Sequence, residues 1–173
     1  MTRASSLTTL LAIASFGASG ASDDSLPPGL ARLPVSELEI RSDNGTHRIR
    51  AWIAADDESR TRGLMQVREL AADRGMLFLF DRPQFAAFWM KDTPISLDIL
   101  FVAADGRIVN IARNTTPFSL APIGSIAPIT AVLEMAAGSA KRLGIVPGDC
   151  LRHAAFDGQA LTAPARRDPY RFR

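Results

Sequence analysis

Short apolar runs separated by turn residues make up most of the chain, and this pattern predicts strands rather than long helices. Residues 36–55, SELEIRSDNGTHRIRAWIAA, alternate apolar and polar positions on either side of Asn44-Gly45. Alternation of this kind places every second side chain on the same face of a strand. The dipeptide is typical of a two-residue turn in which both positions take a positive φ, so this region predicts a β-hairpin.

Several further segments have the composition of strands, because each is an apolar run that ends near Gly, Pro or Asp. They are GMLFLF (75–80), FAAFWM (85–90), SLDILFVA (96–103), ADGRIVNIA (104–112), the run through Val132, Leu133 and Met135, and CLRHAAF (150–156). Within this set, Asp105-Gly106 predicts the turn of a second hairpin.

Two short helices interrupt the strands. Asp56 or Asp57 can cap the first, which we expect to end at Gly63, and the second precedes Gly144. Residues 115–130 hold three prolines and show no periodicity, so they predict a long loop of the kind that often carries function. The chain is therefore predicted to form one mainly β domain, an antiparallel sandwich or rolled barrel with one or two short α-helices.

The N-terminal residues are typical of an export signal. A positive start, a modest apolar run and small residues before an acidic pair predict a signal peptide over residues 1–21. A Pro-rich linker or extended arm, 22–35, leads into the β domain, 36–157, and a basic tail follows at 158–173. We therefore expect a periplasmic or extracellular protein after cleavage.

Composition narrows the classes of partner. The formal net charge of the 173 residues is +2, which favours no nucleic-acid partner. The leader is too short and too polar to span a bilayer, so an integral membrane protein is not predicted. Cys150 is the single cysteine, so an intrachain disulfide is excluded, and its apolar setting is typical of a packed thiol rather than a nucleophile.

Seven motifs occur in one order along most of the predicted domain. They are GLM (63–65), GMLFLF, FWMKDT (88–93), LDILFV, DGRIV, VLEM..G and GI.PGD. The order of these motifs and the gaps between them resemble those of the prokaryotic family called domain of unknown function 192. The resemblance covers about residues 37–152. The chain departs from the family pattern at Asp92, where Asn is more common, and at Pro94, which comes earlier than usual. The resemblance implies a compact, mostly β fold, often behind a signal peptide, and no agreed activity.

Standard catalytic signatures are missing from the sequence, including GxSxG, HExxH, a Walker loop and CxxC. His47 and His153 lie far apart, beside charged neighbours, and we interpret both as structural. Carboxylates are the better catalytic candidates, because Asp98 and Glu134 each lie inside an apolar run. Such a carboxylate is either on a solvent face or buried with a partner, and for Asp98 that partner would be Arg62, Lys91 or backbone amides.

The polar residues after Phe88-Trp89-Met90 allow two interpretations. Adjacent residues of a strand point to opposite faces, so one aromatic ring can enter the core while the other lines a cleft. In the first interpretation Trp89, Lys91, Asp92, Thr93 and Arg62 bind a ligand beneath the loop 115–130. In the second, Lys91, Asp92 and Thr93 only close a turn before Pro94.

Three functions remain open. A small-ligand or envelope-component binding or accessory module is favoured over an enzyme, without cofactor or metal. A carboxylate-dependent hydrolase of an envelope glycan requires two of Asp92, Asp98, Glu134 and Asp149 to converge on a pocket. A Cu(I)-binding protein would use the methionines Met65, Met76, Met90 and Met135, but each lies close in sequence to Leu, Phe or Trp, so core packing is the favoured explanation.

Overall fold

A computed structural model describes residues 29–156 of the chain. The predicted signal peptide, the beginning of the predicted linker and the predicted basic tail lie outside these residues. The described end of the linker is part of the domain, because Leu30 is fully buried and the Pro34 carbonyl accepts a hydrogen bond from Ile53 N. The first strand begins at Val35.

Nine strands and two short α-helices follow in chain order. They are β1 (Val35–Ser42), β2 (Gly45–Ala54), α1 (Asp57–Arg62), β3 (Arg74–Gln84), β4 (Ala87–Phe88), β5 (Leu97–Val102), β6 (Ile108–Ala112), β7 (Ile123–Gly124), β8 (Ile129–Ala136), α2 (Ser139–Arg142) and β9 (Cys150–Arg152). A single 3-10 turn, Ala154–Phe156, ends the described chain. Among these helices none is long and apolar enough to cross a membrane.

Seven of the strands form one sheet in the order β6-β5-β8-β3-β2-β1-β9, and β4 pairs with β7 in a small separate ribbon. Neighbours in the large sheet run antiparallel, except that β2 and β3 are parallel because α1 connects them. The sheet curls until its two edges meet, where Arg107 bridges to Cys150 and Leu151 N donates to the Gly106 carbonyl at 2.7 Å. The predicted mainly β fold, with a rolled sheet and two short helices, is confirmed.

The curled sheet has a hydrophobic core on each face. The inner core includes Leu77, Leu100 and Leu133, and the outer core includes Phe78 and Phe101. Because the central strands are covered on both sides, all six residues of β5 are buried. Polar side chains at the buried positions of β5 and β8 therefore lie in one of the two cores. Asp98 on β5 and Glu134 on β8 are such side chains.

Local details correct the predicted turns and strands. The first hairpin forms, but Ser42 pairs with Gly45, so Asp43 and Asn44 make the turn. Gly45 takes a positive φ of 118° and Asn44 does not, so the prediction that both would is wrong. The segment 85–90 was predicted as one strand, yet only Ala87–Phe88 pairs, because the chain turns away to line a cleft.

Candidate functional site

A cleft of about 600 Å³ opens on the outer face of the sheet, and this volume is in the range of small-molecule sites. Helix α1 and the turn after it form one wall, and the segment 84–93 forms the opposite wall. Leu120 and Pro122 of the predicted long loop complete the rim, while Phe78 of β3 and Glu134 of β8 contribute from the sheet.

Helix α1 is placed by its own sequence. Asp56 and Ser59 form a capping box, in which Asp56 Oδ1 accepts from Ser59 N at 2.8 Å. Gly63 ends the helix with a φ of 50°, a backbone conformation that favours glycine, and the Phe78 ring lies in contact distance of it. Both predicted ends of the helix are confirmed, and they hold α1 against the sheet at the edge of the cleft.

The two adjacent aromatic residues separate as expected. The Phe88 ring packs edge-on against Phe78, with ring centroids 4.9 Å apart, and also contacts Phe101 edge-on. Trp89 points away from the core, is half exposed and lines the cleft. Phe85 and Leu120 are also exposed at the rim, so the entrance to the cleft is apolar.

Cationic side chains surround this apolar entrance. The Lys91 ammonium lies 5.6 Å from the centre of the Trp89 ring, a cation–π contact. Arg60 lies over the Phe80 ring and donates to the Leu79 carbonyl at 2.9 Å and to Asp57. Among the described residues Lys91 forms no ion pair, which leaves its charge available to a bound molecule.

Glu134 lines the cleft and is 4% exposed. Its cross-strand neighbours are Met76 and Ile99, which are fully buried. Within residues 29–156 no ion pair or hydrogen bond to its carboxyl is found, and the carboxyl stays open to the cleft rather than fully enclosed. Burial without a charge partner disfavours the ionised form and raises the pKa of Glu134 to about 8.

Asp98 lies on the opposite face of the sheet. It pairs across the strands with Met135, which belongs to the inner core, whereas Glu134 is adjacent to Met135 and therefore points the other way. Asp98 Oδ1 accepts from Asn114 N and Oδ2 accepts from Ala140 N, both at 2.9 Å. The structure thus places Asp98 on backbone amides, one of the partners expected from the sequence, and not in the cleft.

The segment Lys91 to Thr93 forms a turn, and part of it also lines the cleft. Thr93 N donates to the Met90 carbonyl at 3.1 Å, and Thr93 Oγ1 donates to the Lys91 carbonyl at 3.0 Å. Asp92 is the third residue of this turn, has a φ of 52° and does not line the cleft. Lys91 and Thr93 do line it. The segment therefore closes a turn with its backbone and lines the cleft at Lys91 and Thr93, so the two interpretations of the sequence are compatible.

Asp92 is expected to serve the turn through its backbone, because Asn and Asp are among the few side chains that tolerate positive φ. We expect Asp92→Gly and Asp92→Asn to leave the free energy of unfolding within about 1 kcal/mol of the wild type, and Asp92→Val to lower it by about 2 kcal/mol. Urea unfolding measures both effects. Lys91→Val, a β-branched residue at the preceding turn position, controls for the change in polarity. Equal stabilities of Asp92→Gly and Asp92→Val would contradict this role.

Arg62 lines the cleft, but its guanidinium is partly committed. It forms an ion pair with Glu58 at 3.1 Å and packs against the backbone of Gly29. Since its side chain is 45% exposed, the ion pair stabilises the fold only weakly. Arg62 therefore contributes positive charge to the rim rather than a partner for Asp98.

The other predicted candidates do not reach the cleft. Asp149 Oδ2 accepts from Val146 N at 2.8 Å and closes a turn. His153 Nδ1 accepts from Ala155 N, so in the neutral ring Nε2 carries the proton and faces Ser36 Oγ at 3.0 Å, the wrong tautomer for a general base. His47 contacts Ser42 Oγ at 3.2 Å. Burial raises the pKa of the Cys150 thiol, which disfavours the reactive thiolate.

The four methionines do not converge on one site. Met76 and Met90 pack in the outer core and Met135 packs in the inner core, on the other side of the sheet. Met65 lines the cleft. The described residues also contain no group of three or more His, Cys, Asp or Glu side chains that is placed to hold a metal ion.

Sequence reasoning missed several residues of the cleft, among them Arg60, Phe80 and Phe85. Arg60 is three residues after Asp57 in α1, and residues at this spacing lie on the same face of a helix. Helix periodicity therefore indicated that Arg60 would lie near the Asp57 carboxylate. Phe80 lies near the end of β3 and Phe85 follows it, where the pairing with β8 shifts register between Leu79 and Gln84, and no local pattern predicts which aromatic side chains then face the cleft.

Comparison with known proteins assigns the fold to a family. The model of the family DUF192, described as an uncharacterized ACR, matches residues 39–153. No curated protein matches the chain.

Two solved structures are similar to this chain, and both are of bacterial proteins. A protein from Sinorhizobium meliloti 1021, provisionally described as a transcription regulator, is 41% identical with a TM-score of 0.69, over 71% of this chain and 96% of that one. A protein of unknown function from Novosphingobium aromaticivorans DSM 12444 is 38% identical with a TM-score of 0.70, over 74% of this chain and 91% of that one. The chain therefore belongs to the DUF192 family of uncharacterised proteins.

Proposed function

We propose that the protein is an exported binding module that holds a small ligand or envelope component in the cleft beside Trp89. The observation that carries this proposal is the Glu134 carboxyl, which is buried, opens into the cleft and has no partner among the described residues. Buried polar groups are almost always hydrogen-bonded, so such a group calls for a partner from outside the fold. The aromatic and apolar rim supplies contact area for that partner.

Binding is favoured over hydrolysis by the arrangement of the carboxylates. Of the four that were predicted as candidates, only Glu134 lines the cleft. The other carboxylate in the lining is Asp57, which is at the exposed start of α1 and paired with Arg60. Glycoside hydrolysis needs two carboxyl groups on either side of one bond, and the cleft does not supply a buried second one.

Export is supported by the pattern of the N-terminal residues, a basic start followed by an apolar run and small residues. An envelope location would bring sugars, peptidoglycan fragments and aromatic acids within reach of the cleft. The name of the Sinorhizobium meliloti relative raises DNA as a further partner, but a formal net charge of +2 gives no strong attraction to phosphates. We therefore propose no nucleic-acid partner.

A thermal-shift screen of sugars, peptidoglycan fragments and aromatic acids tests the binding function, since a ligand of the folded state raises its stability. We expect at least one stabilising compound, whose affinity falls about tenfold in Trp89→Ala because a stacked aromatic side chain is lost. Phe118→Ala, which removes an exposed ring outside the cleft, is the matched control and should bind normally. This function would be contradicted if no compound of the panel stabilised the protein, or if Trp89→Ala bound the stabilising compound with the affinity of the wild type.

A further inference from the structure

The surroundings of Glu134 indicate what kind of ligand group the cleft accepts. Its strand neighbours on β3 and β5 are the apolar residues Met76 and Ile99, and the whole residue is 4% exposed. Transfer of an unpaired carboxylate into such a setting is costly, whereas a neutral carboxyl only needs hydrogen bonds. A ligand that pairs with Glu134 therefore meets a group with both a donor and an acceptor.

The charged groups that face the cleft strengthen this conclusion. They are Asp57, Arg60 and Arg62 from α1 and Lys91 from the segment 84–93. Arg60 is paired with Asp57, and Arg62 with Glu58, while none of them forms an ion pair with Glu134. These pairs leave Lys91 as the cation without an ion pair, so the entrance carries a small net positive charge, which disfavours the entry of an ammonium or amidinium group. The burial that raises the pKa of Glu134 to about 8 acts in the same direction.

A protonated carboxyl presents an O–H donor and a C=O acceptor side by side in one plane. Groups with the complementary edge are a primary amide, a lactam and the related N–H/C=O edge of a planar heterocycle. An ammonium lacks the acceptor, and a carboxylate lacks the donor. The aromatic side chains Phe80, Phe88 and Trp89 line the space that the planar body of such a ligand would fill.

We propose that Glu134 selects ligands that present an uncharged amide-type edge, with a donor and an acceptor side by side, on a planar apolar body. This inference rests on the proposed binding function and specifies its ligand class. The cation of Lys91 at the rim is then free for a polar or anionic group at the outer end of the ligand.

Three probes with the same ring test the inference: benzamide, benzamidinium and benzoate. Their binding is followed by saturation-transfer NMR and titration on the protein at pH 6 and pH 9. We expect benzamide to bind best at pH 6 and about tenfold more weakly at pH 9, since only about a tenth of a group with a pKa of about 8 remains protonated there. Circular dichroism confirms that the protein stays folded at both values.

Two variants assign the effect to Glu134. Glu134→Gln keeps a donor and an acceptor, so it should bind benzamide with no difference between pH 6 and pH 9. Glu134→Met, which matches the side chain in size but removes the donor and the strong acceptor, should bind benzamide at least tenfold more weakly. The inference would be overturned if the protein preferred benzamidinium, or if Glu134→Met bound benzamide as well as the wild type does. The cleft would then still be shown to bind aromatic rings. Absence of binding by all three probes would overturn it as well, and the compound screen above decides the binding function separately.

Discussion

The free energy of unfolding is expected to fall as the pH rises from 5 to 8, and most of this fall is expected to disappear in Glu134→Gln. The carboxyl of Glu134 has its pKa raised from 4.5 to about 8 in the folded protein. Between these values the folded state keeps the proton and the unfolded state has released it. Stability therefore decreases with pH, because the folded state binds more protons than the unfolded state.

The expected effect is large. Complete deprotonation across this interval costs on the order of 5 kcal/mol, which is comparable with the whole stability of a small domain. The cost is absent below the unfolded pKa of 4.5, grows through neutral pH and is fully present above pH 8. At pH 8 we expect Glu134→Gln to be more stable than the wild type by several kcal/mol, and at pH 4.5 the two proteins should be nearly equal.

Urea unfolding of both proteins at pH 5, 6, 7, 8 and 9 measures this difference directly. Glu69→Gln is the matched control, because it makes the same substitution at an exposed glutamate and should follow the wild-type curve. If the wild type and Glu134→Gln gave parallel pH profiles, Glu134 would be ionised in the folded state, and a buried cation would have to be found for it. A residue that lowers the stability of the fold in this way is typical of functional sites, where a group needed for binding is kept although it destabilises the protein.

Alternation and burial made much of the fold predictable from the sequence. The continuous apolar run around Asp98 indicated a strand covered on both faces, and β5 is buried at every position. The split of Phe88 and Trp89 followed from the two-residue period of extended chain, although the segment around them pairs over only two residues. Helix α1 was predictable because Asp56 and Gly63 are chemically suited to its two ends.

The face to which each carboxylate points was harder to predict. Asp98 and Glu134 both lie in apolar strands, and local sequence gives neither the register of β5 against β8 nor the direction in which the sheet curls. The register pairs Asp98 with Met135 and Ile99 with Glu134, which separates the two carboxyl groups by the thickness of the sheet. The partners of Asp98 are also distant in sequence, at Asn114 and Ala140, so no short motif could reveal them.

Asp98→Ala is expected to lower the free energy of unfolding by about 3–5 kcal/mol, although Asp98 lies outside the cleft. The carboxylate accepts the backbone N–H groups of Asn114 and Ala140, and removal of both acceptors leaves the buried donor of Ala140 and the part-buried donor of Asn114 without this partner. Each such donor costs about 1–3 kcal/mol, and the lost side chain leaves a small cavity as well.

Helix α2 explains why this carboxylate matters to the fold. Its N-cap residue is Gly138, which has no side chain to accept the free N–H groups of the first turn. Asp98 supplies that acceptor from a neighbouring strand, because Ala140 is the second residue of the helix. Without it the first turn of α2 loses its cap, and we expect amide hydrogen exchange to accelerate at Ala140 before the rest of the sheet opens.

Two comparisons make the measurement specific. Asp105→Ala removes another aspartate that accepts a backbone N–H, from Arg107, but its side chain is 44% exposed, so its loss should cost at most about 1 kcal/mol. Asp98→Asn keeps one acceptor oxygen and should give an intermediate loss of stability, with ligand binding in the cleft unchanged because Asp98 is on the opposite face from Glu134. A stable Asp98→Ala protein would remove the capping role, and a folded Asp98→Asn protein that had lost ligand binding would connect Asp98 to the site after all.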